Sequence, residues 1–279
     1  MRVYVNAPTH KKNNATSFSQ MLSDLRKSGF LGRQLFIRDI KGMFRQSVLG
    51  ITWAIFPPFL SAGLWVFLNY SGAVNITETG VPYPIFVMCG TVLYTTFTQA
   101  LNMPADAVMA GKSIMAKLNF PREALLINAF YKVLFDFGLK FTALLLIALA
   151  LGLETSWTIL LFPIGALMAV LLGFSFGVLL IPFKLLYDDF KRMLSIATQV
   201  LMYATPIVYP MPESGIARVF NTYNPMYYMI DIPRSWFTNQ PVEFLWPLIV
   251  IALVSLFALY LGWILYRITM PIIVERVGA

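Results

Sequence analysis

Six stretches of about 20 mostly apolar residues dominate this chain, near 51–73, 83–103, 124–151, 158–183, 194–210 and 244–266. A helix rising ~1.5 Å per residue needs about 20 such residues to cross a ~30 Å hydrocarbon core. Of the 279 residues, 58% are hydrophobic and only 12% charged, whereas soluble domains average ~25% charged. One soluble core cannot hide that much apolar surface, so a water-soluble enzyme is excluded, as is a disordered chain. The expected fold is an all-α integral membrane protein with six transmembrane helices. A single cysteine, Cys89, and a single histidine, His10, leave no material for a disulfide framework, a zinc site or a histidine triad, and no metal site is expected.

Lysine and arginine orient the spans. Residues 1–50 hold nine of them, and the 104–123 and 184–193 connections hold three each. With the tail, alternate segments carry seventeen on one side against two on the other, Arg218 and Arg234. Both termini of this multi-pass protein are therefore expected in the cytoplasm. Residues 1–17 are polar and lack the apolar stretch of a signal peptide, so the first span is expected to direct insertion. The net charge of +8 reads as this topology signal, not as nucleic-acid binding.

The connections carry the next layer of information. Ser17-Phe18-Ser19-Gln20 fits a capping box, and Phe18, Met21, Leu22 and Leu25 follow at helical spacing. This predicts an amphipathic helix, lying at the cytoplasmic interface or packed on a partner. Arg38, Lys41 and Arg45 share one helical face. They serve either as positive-inside anchors or as a rim for an anionic lipid head. Within 104–123, Ile114, Met115 and Leu118 lie on one side of a short amphipathic segment between Gly111 and Pro121. It suits docking into a groove on another protein, or rest on the membrane surface. Gly111-Lys112-Ser113 is not a phosphate loop, because Asp106 stands where that motif needs glycine. Asp188 and Asp189 are adjacent and point ~100° apart on a helix, which suits contact with a partner better than carboxylate catalysis. The 211–243 segment lies outside by charge yet is rich in aromatics and prolines. Short re-entrant helices lining an exit explain it better than a plain loop, though an aromatic-belt loop is the simpler alternative.

Within the third span, Lys132, Asp136 and Lys140 recur at i+4, which reads as an intramembrane ion pair or as a coupling or substrate contact. Gly173 and Gly177 form a small-xxx-small helix contact. Cys89 reads as a buried apolar residue. The first span carries Trp53, Phe56 and Phe59 and is broken by Pro57-Pro58; its aromatics either pack against helices or offer sugar-binding faces.

Four ordered motifs carry a resemblance: RDIKGMFRQSVLGITWAIFPP (38–58), LNFPRE (118–123), YDDFKRMLSIATQVLMYATPIVYP (187–210) and YNPMYYMID (223–231). Together they resemble the ABC-2 type polysaccharide exporter permeases, the membrane subunits of O-antigen, capsule and teichoic-acid ABC transporters. The resemblance implies a permease that is not itself an enzyme, working as a homodimer with two ABC ATPase subunits and moving a lipid-linked polysaccharide. ATP and magnesium would sit on the ATPase, with no cofactor in this chain. It implies a layout of 1–45 as cytoplasmic tail and interface helix, 46–267 as the six-span domain, and 268–279 as a cytoplasmic tail. Lys112, Lys117, Leu118, Phe120, Pro121, Arg122, Asp188, Asp189 and Arg192 would couple to the ATPase. Arg38, Lys41 and Arg45 would meet the lipid phosphate. Trp53, Phe56, Phe59, Tyr209, Tyr223, Tyr227 and Tyr228 would line the channel and its outer gate. Competing classes are a small-lipid or drug exporter, an ion-coupled carrier using Asp136, and a membrane transferase.

Overall fold

The computed structural model describes residues 18–44, 50, 52–74, 79–115, 120–153, 156–242 and 244–278. They form α1 (Phe18–Phe44), α2 (Thr52–Tyr70), α3 (Tyr83–Ala110), α4 (Lys112–Met115), α5 (Glu123–Ala150), a 3-10 turn (Trp157–Leu161) leading into α6 (Phe162–Leu179), α7 (Ile181–Leu186), α8 (Asp188–Ala204), α9 (Gly215–Tyr223), α10 (Pro225–Phe237) and α11 (Trp246–Gly278). Among the described residues there is no strand.

Four segments are long and apolar enough to cross a bilayer: Tyr83–Ala110, Glu123–Ala150, Trp157–Leu179 and Trp246–Ile273. Their centre is α3, which packs on α2, α5, α6 and α10. Gly173 and Gly177 are the small residues of the α3–α6 contact. A Cβ on Gly173 would lie 2.4 Å from the Phe97 carbonyl oxygen, and one on Gly177 would lie 2.7 Å from that of Leu101. Only hydrogen fits where the two backbones approach so closely. Cys89 is fully buried in the same core.

The first and fifth apolar runs give shorter helices. α2 is continuous from Thr52 to Tyr70, so Pro57-Pro58 does not break it. Both prolines lie beyond the first turn, so each removes one i→i−4 hydrogen bond, and the helix continues across them. α8 begins at Asp188, six residues before the apolar run predicts, and stops at Ala204. Pro206 disfavours helical backbone at Thr205, and residues 205–210 continue as an irregular strap. α8 has no buried residue, and Met193, Ile196, Val200 and Tyr203 along it are exposed. Trp53, Phe56, Leu60, Leu64 and Phe67 make a similarly exposed apolar face on α2. At the chain's end, α11 runs past Pro271 to Gly278, so the 268–279 tail up to that residue continues the last span as helix.

α1 is one 27-residue helix that runs from Phe18 at the amphipathic start through Arg38 and Lys41. Met21, Ser28 and Leu35 recur at i+7 and are buried, which fixes the face α1 turns toward α5.

Candidate functional site

Three polar constellations stand out against this apolar frame. Two lie at the end that holds α1 and the start of α5, and one lies at the opposite end.

The first joins α1 to α5. Asp39 accepts from Arg38 (Nη2, 2.6 Å; Nε, 2.9 Å), from Asn128 Nδ2 at 3.0 Å, and pairs with Lys132 Nζ at 2.6 Å. Burial alone would push the Asp39 carboxyl up. The hydrogen bonds from Lys132, Asn128 and Arg38, with the Lys132 charge, more than offset that and hold it below its ordinary value of 3.8. The i+4 series in the third span is thereby divided. Lys132 leaves it for Asp39, while Asp136 pairs with Lys140 at 2.5 Å, and Lys140 also donates to Gln99 Oε1 at 3.3 Å. Of the three proposed lipid-phosphate residues, Arg38 is half-exposed beside Asp39 and Lys41 is exposed; Arg45 lies outside the described residues.

The second constellation anchors the 111–122 segment. The half-buried Arg267 on α11 pairs at 2.6 Å with both Asp24 of α1 and Glu123 of α5. The Tyr266 hydroxyl donates to the Arg122 carbonyl at 2.8 Å. At the other end of the segment, a Cβ on Gly111 would come within 2.7 Å of the Leu125 side chain. Three helices therefore grip the two ends of the short 111–122 connection. Lys112 is exposed, Phe120 and Arg122 are half-buried, and Pro121 is exposed; Lys117 and Leu118 lie outside the described residues. Asp188, Asp189 and Arg192 are exposed at the start of α8, where Asp188 pairs with Lys191 at 3.5 Å.

The third constellation orders the 205–237 segment. Arg234 of α10 is 4% exposed. Its Nη2 donates to the carbonyls of Ile207 (2.9 Å) and Pro206 (3.2 Å), and its guanidinium lies 3.7 Å above the Phe86 ring centre. Gly90 leaves the room it occupies: a Cβ there would stand 2.6 Å from both Arg234 Nη2 and the Ile207 oxygen. Asn224 sits between α9 and α10. Its Oδ1 caps α10 by accepting from the Met226 N–H at 3.0 Å, and its Nδ2 donates to Thr205 Oγ1 at 2.9 Å. Asn221 Nδ2 donates to the Ala204 carbonyl at 3.1 Å, and the Tyr209 hydroxyl donates to the Tyr203 and Ala204 carbonyls at 3.0 and 3.2 Å. The Tyr83 hydroxyl reaches the Val208 carbonyl at 2.9 Å. Irregular backbone in an apolar setting must satisfy its carbonyls from within, and side chains do that here.

The aromatic residues expected along a channel divide by environment. Trp53 and Phe56 are exposed and meet edge to face at 5.9 Å, whereas Phe59 is half-buried against the core. Tyr223 is exposed, while Tyr227 and Tyr228 are half-buried and meet edge to face at 5.1 Å. These last two line a polar cleft of about 490 Å³ together with Arg218, Thr222, Asp231 and Ser235. Tyr209 is half-buried and spends its hydroxyl on the end of α8.

Residues 32–237 match the ABC-2 type transporter family, most of the chain. The chain belongs to that family. Among its relatives is the O-antigen export system permease protein RfbA of Myxococcus xanthus, 22% identical over 227 residues, spanning 80% of this chain and 86% of that protein. A Klebsiella pneumoniae RfbA of the same description is 26% identical over 219 residues, 74% of this chain and 80% of its own. The polysialic acid transport protein KpsM of Escherichia coli is 22% identical over 250 residues, 84% and 91%. With four spanning helices in hand, this ABC-2 type transporter chain is a multi-pass membrane protein.

Sequence reasoning passed over Asp39, Asn128, Asp24, Glu123, Arg267, Asn221 and Arg234 as a site. For two of them a signal was present. Arg234 is one of only two arginines in the aromatic-rich 211–243 segment, and Glu123 opens a span beside the proposed coupling segment.

Proposed function

We propose that this chain is the membrane subunit of an ATP-driven exporter that moves a lipid-linked polysaccharide from the cytoplasm to the outer face of the inner membrane, O-antigen first and capsule next. The observation that carries the reading is the family match over 32–237, with relatives named for O-antigen and polysialic acid export aligned across 74–84% of the chain.

In this reading the protein works as a homodimer with six spans per copy. The exposed apolar faces of α2 and α8 support it, because each helix is too thinly packed within one copy to enclose a path. Two separate ATPase subunits hold ATP and magnesium and dock at 111–122 and the start of α8. The grip of α1, α5 and α11 on that segment gives a route by which a push there reaches the spans. Arg38, Lys41 and Arg45 receive the lipid phosphate through charge-assisted hydrogen bonds. Trp53, Phe56 and Phe59 form part of the channel wall, and residues 211–237 close its outer end. The cleft beside Tyr227 and Tyr228 suits a sugar there, with rings for C–H faces and Arg218, Asp231 and Ser235 for hydroxyls. An ion-coupled carrier working through Asp136 is less favoured, because Lys140 already neutralises that carboxylate at 2.5 Å.

Replacing Arg38, Lys41 and Arg45 together by glutamine should cut loading about a hundredfold, because each cation near an anionic head group is worth ~1 kcal/mol. Lipid-linked polymer should accumulate in the cytoplasm while surface polymer falls on immunoblots. Normal surface polymer at wild-type permease levels would count against the reading.

A further inference from the structure

Between α1, α5, α6 and α11 lies an apolar cleft of about 390 Å³, far from the 205–242 outer segment. Leu25 and Gly29 of α1 form one wall, facing Leu126, Phe130, Phe174 and Trp263. Three spanning helices contribute, all from the same end: the start of α5, the last turns of α6 and the stretch of α11 before Arg267. By the charge count that end is cytoplasmic, so the cleft lies at the depth of inner-leaflet acyl chains. The Trp263 indole N–H is buried beside it and has no acceptor among the described residues.

The rim is cationic. Arg26 and Arg33 stand three residues before and four after Gly29, so they border the cleft's side of α1. Both are exposed, and neither enters an ion pair among the described residues. Phe30, beside them, is 75% exposed. An amphipathic helix with an apolar groove on one side and free arginines along its edge matches a lipid with an anionic head and apolar tails.

We infer that this cleft binds an anionic phospholipid of the cytoplasmic leaflet, with one acyl chain between α1 and α11 and its phosphate held by Arg26 and Arg33. The site fastens α1 to the spans independently of the exported cargo. The inference rests on the membrane placement of the chain and not on what it exports, so its test involves no export.

Gly29 makes a clean probe. A Cβ there meets nothing within 4 Å, so leucine occupies the mouth of the cleft without strain and favours the helix. By contrast, a Cβ on the neighbouring Gly32 would strike Ile127 at 2.6 Å. The full chain, purified in detergent, is titrated with dioleoyl phosphatidylglycerol or dioleoyl phosphatidylcholine. Thermal unfolding and native mass spectrometry are the readouts. Wild type should retain one phosphatidylglycerol per chain and prefer it at least tenfold over phosphatidylcholine. Arg26→Gln with Arg33→Gln should erase the preference. Gly29→Leu should lose both lipids while unfolding, without lipid, no lower than wild type. Equal binding of the two lipids by wild type, or undiminished phosphatidylglycerol binding by Gly29→Leu, overturns the inference. So does stoichiometric displacement of phosphatidylglycerol by a polyprenyl phosphate, which would assign the cleft to the cargo.

Discussion

Replacing Arg234 by alanine is expected to loosen the whole outer segment and to stop export. The substitution leaves the Pro206 and Ile207 carbonyls without their donor and removes the cation from above Phe86. Each buried carbonyl left unpaired costs roughly 1–3 kcal/mol, and breaking a buried charged network costs ~3–5 kcal/mol in all. Lysine at the same position should recover only part of the loss, since one ammonium cannot reproduce the planar fork. Gly90→Val approaches the same defect from the other side by placing a side chain where the guanidinium lies. Thermal unfolding of the purified chain, with conductance of reconstituted bilayers, gives the check. The expected result is a lower unfolding midpoint with an ion leak. An Arg234→Ala protein as stable and as tight as wild type would mean that this arginine does not hold the strap.

The second large effect belongs to the 111–122 segment. Leu118→Asp, or charge reversal at both Lys117 and Arg122, should abolish export while the partner ATPase continues to hydrolyse ATP. An apolar anchor turned into a charge at a docking contact costs about 2 kcal/mol or more, a loss of thirtyfold or greater in engagement. Arg267→Ala tests the same coupling from behind. It frees Asp24 and Glu123 from their shared cation and detaches the base of the segment from α1 and α11 without touching the docking surface. It should leave ATPase binding intact and reduce export per ATP hydrolysed. Export by the Leu118→Asp variant at the wild-type level would place the docking surface elsewhere.

Much of the fold can be read from local patterns, and much of the site cannot. Long apolar runs announce α3, α5, α6 and α11 because crossing a bilayer demands them whatever the tertiary contacts. The Gly173–Gly177 spacing identifies a close contact because small residues four apart have few other uses in a span. Hydropathy fails where a helix is amphipathic. α8 starts six residues early because Asp188, Asp189, Lys191 and Arg192 are helical yet polar, and it ends at the strap that Pro206 begins. The ion pairs are the least legible feature. Lys132 has Asp136 four residues away and chooses Asp39, 93 residues away in the chain but brought alongside when α1 packs on α5. Arg267 reaches Asp24, 243 positions distant. Such partners are set by how helices pack, so sequence spacing carries no trace of them.

The central claim is that this chain passes a lipid-linked polysaccharide across the membrane when a partner ATPase hydrolyses ATP. The direct measurement uses inside-out proteoliposomes holding the purified chain and its partner ATPase, supplied with radiolabelled lipid-linked polymer. The fraction of label protected from an added glycosidase is followed with and without ATP. The account predicts protection that rises with ATP and disappears when the partner carries an ATPase-inactive substitution. Label that stays fully accessible in the presence of ATP, while a short-chain lipid offered to the same vesicles becomes protected, would contradict it.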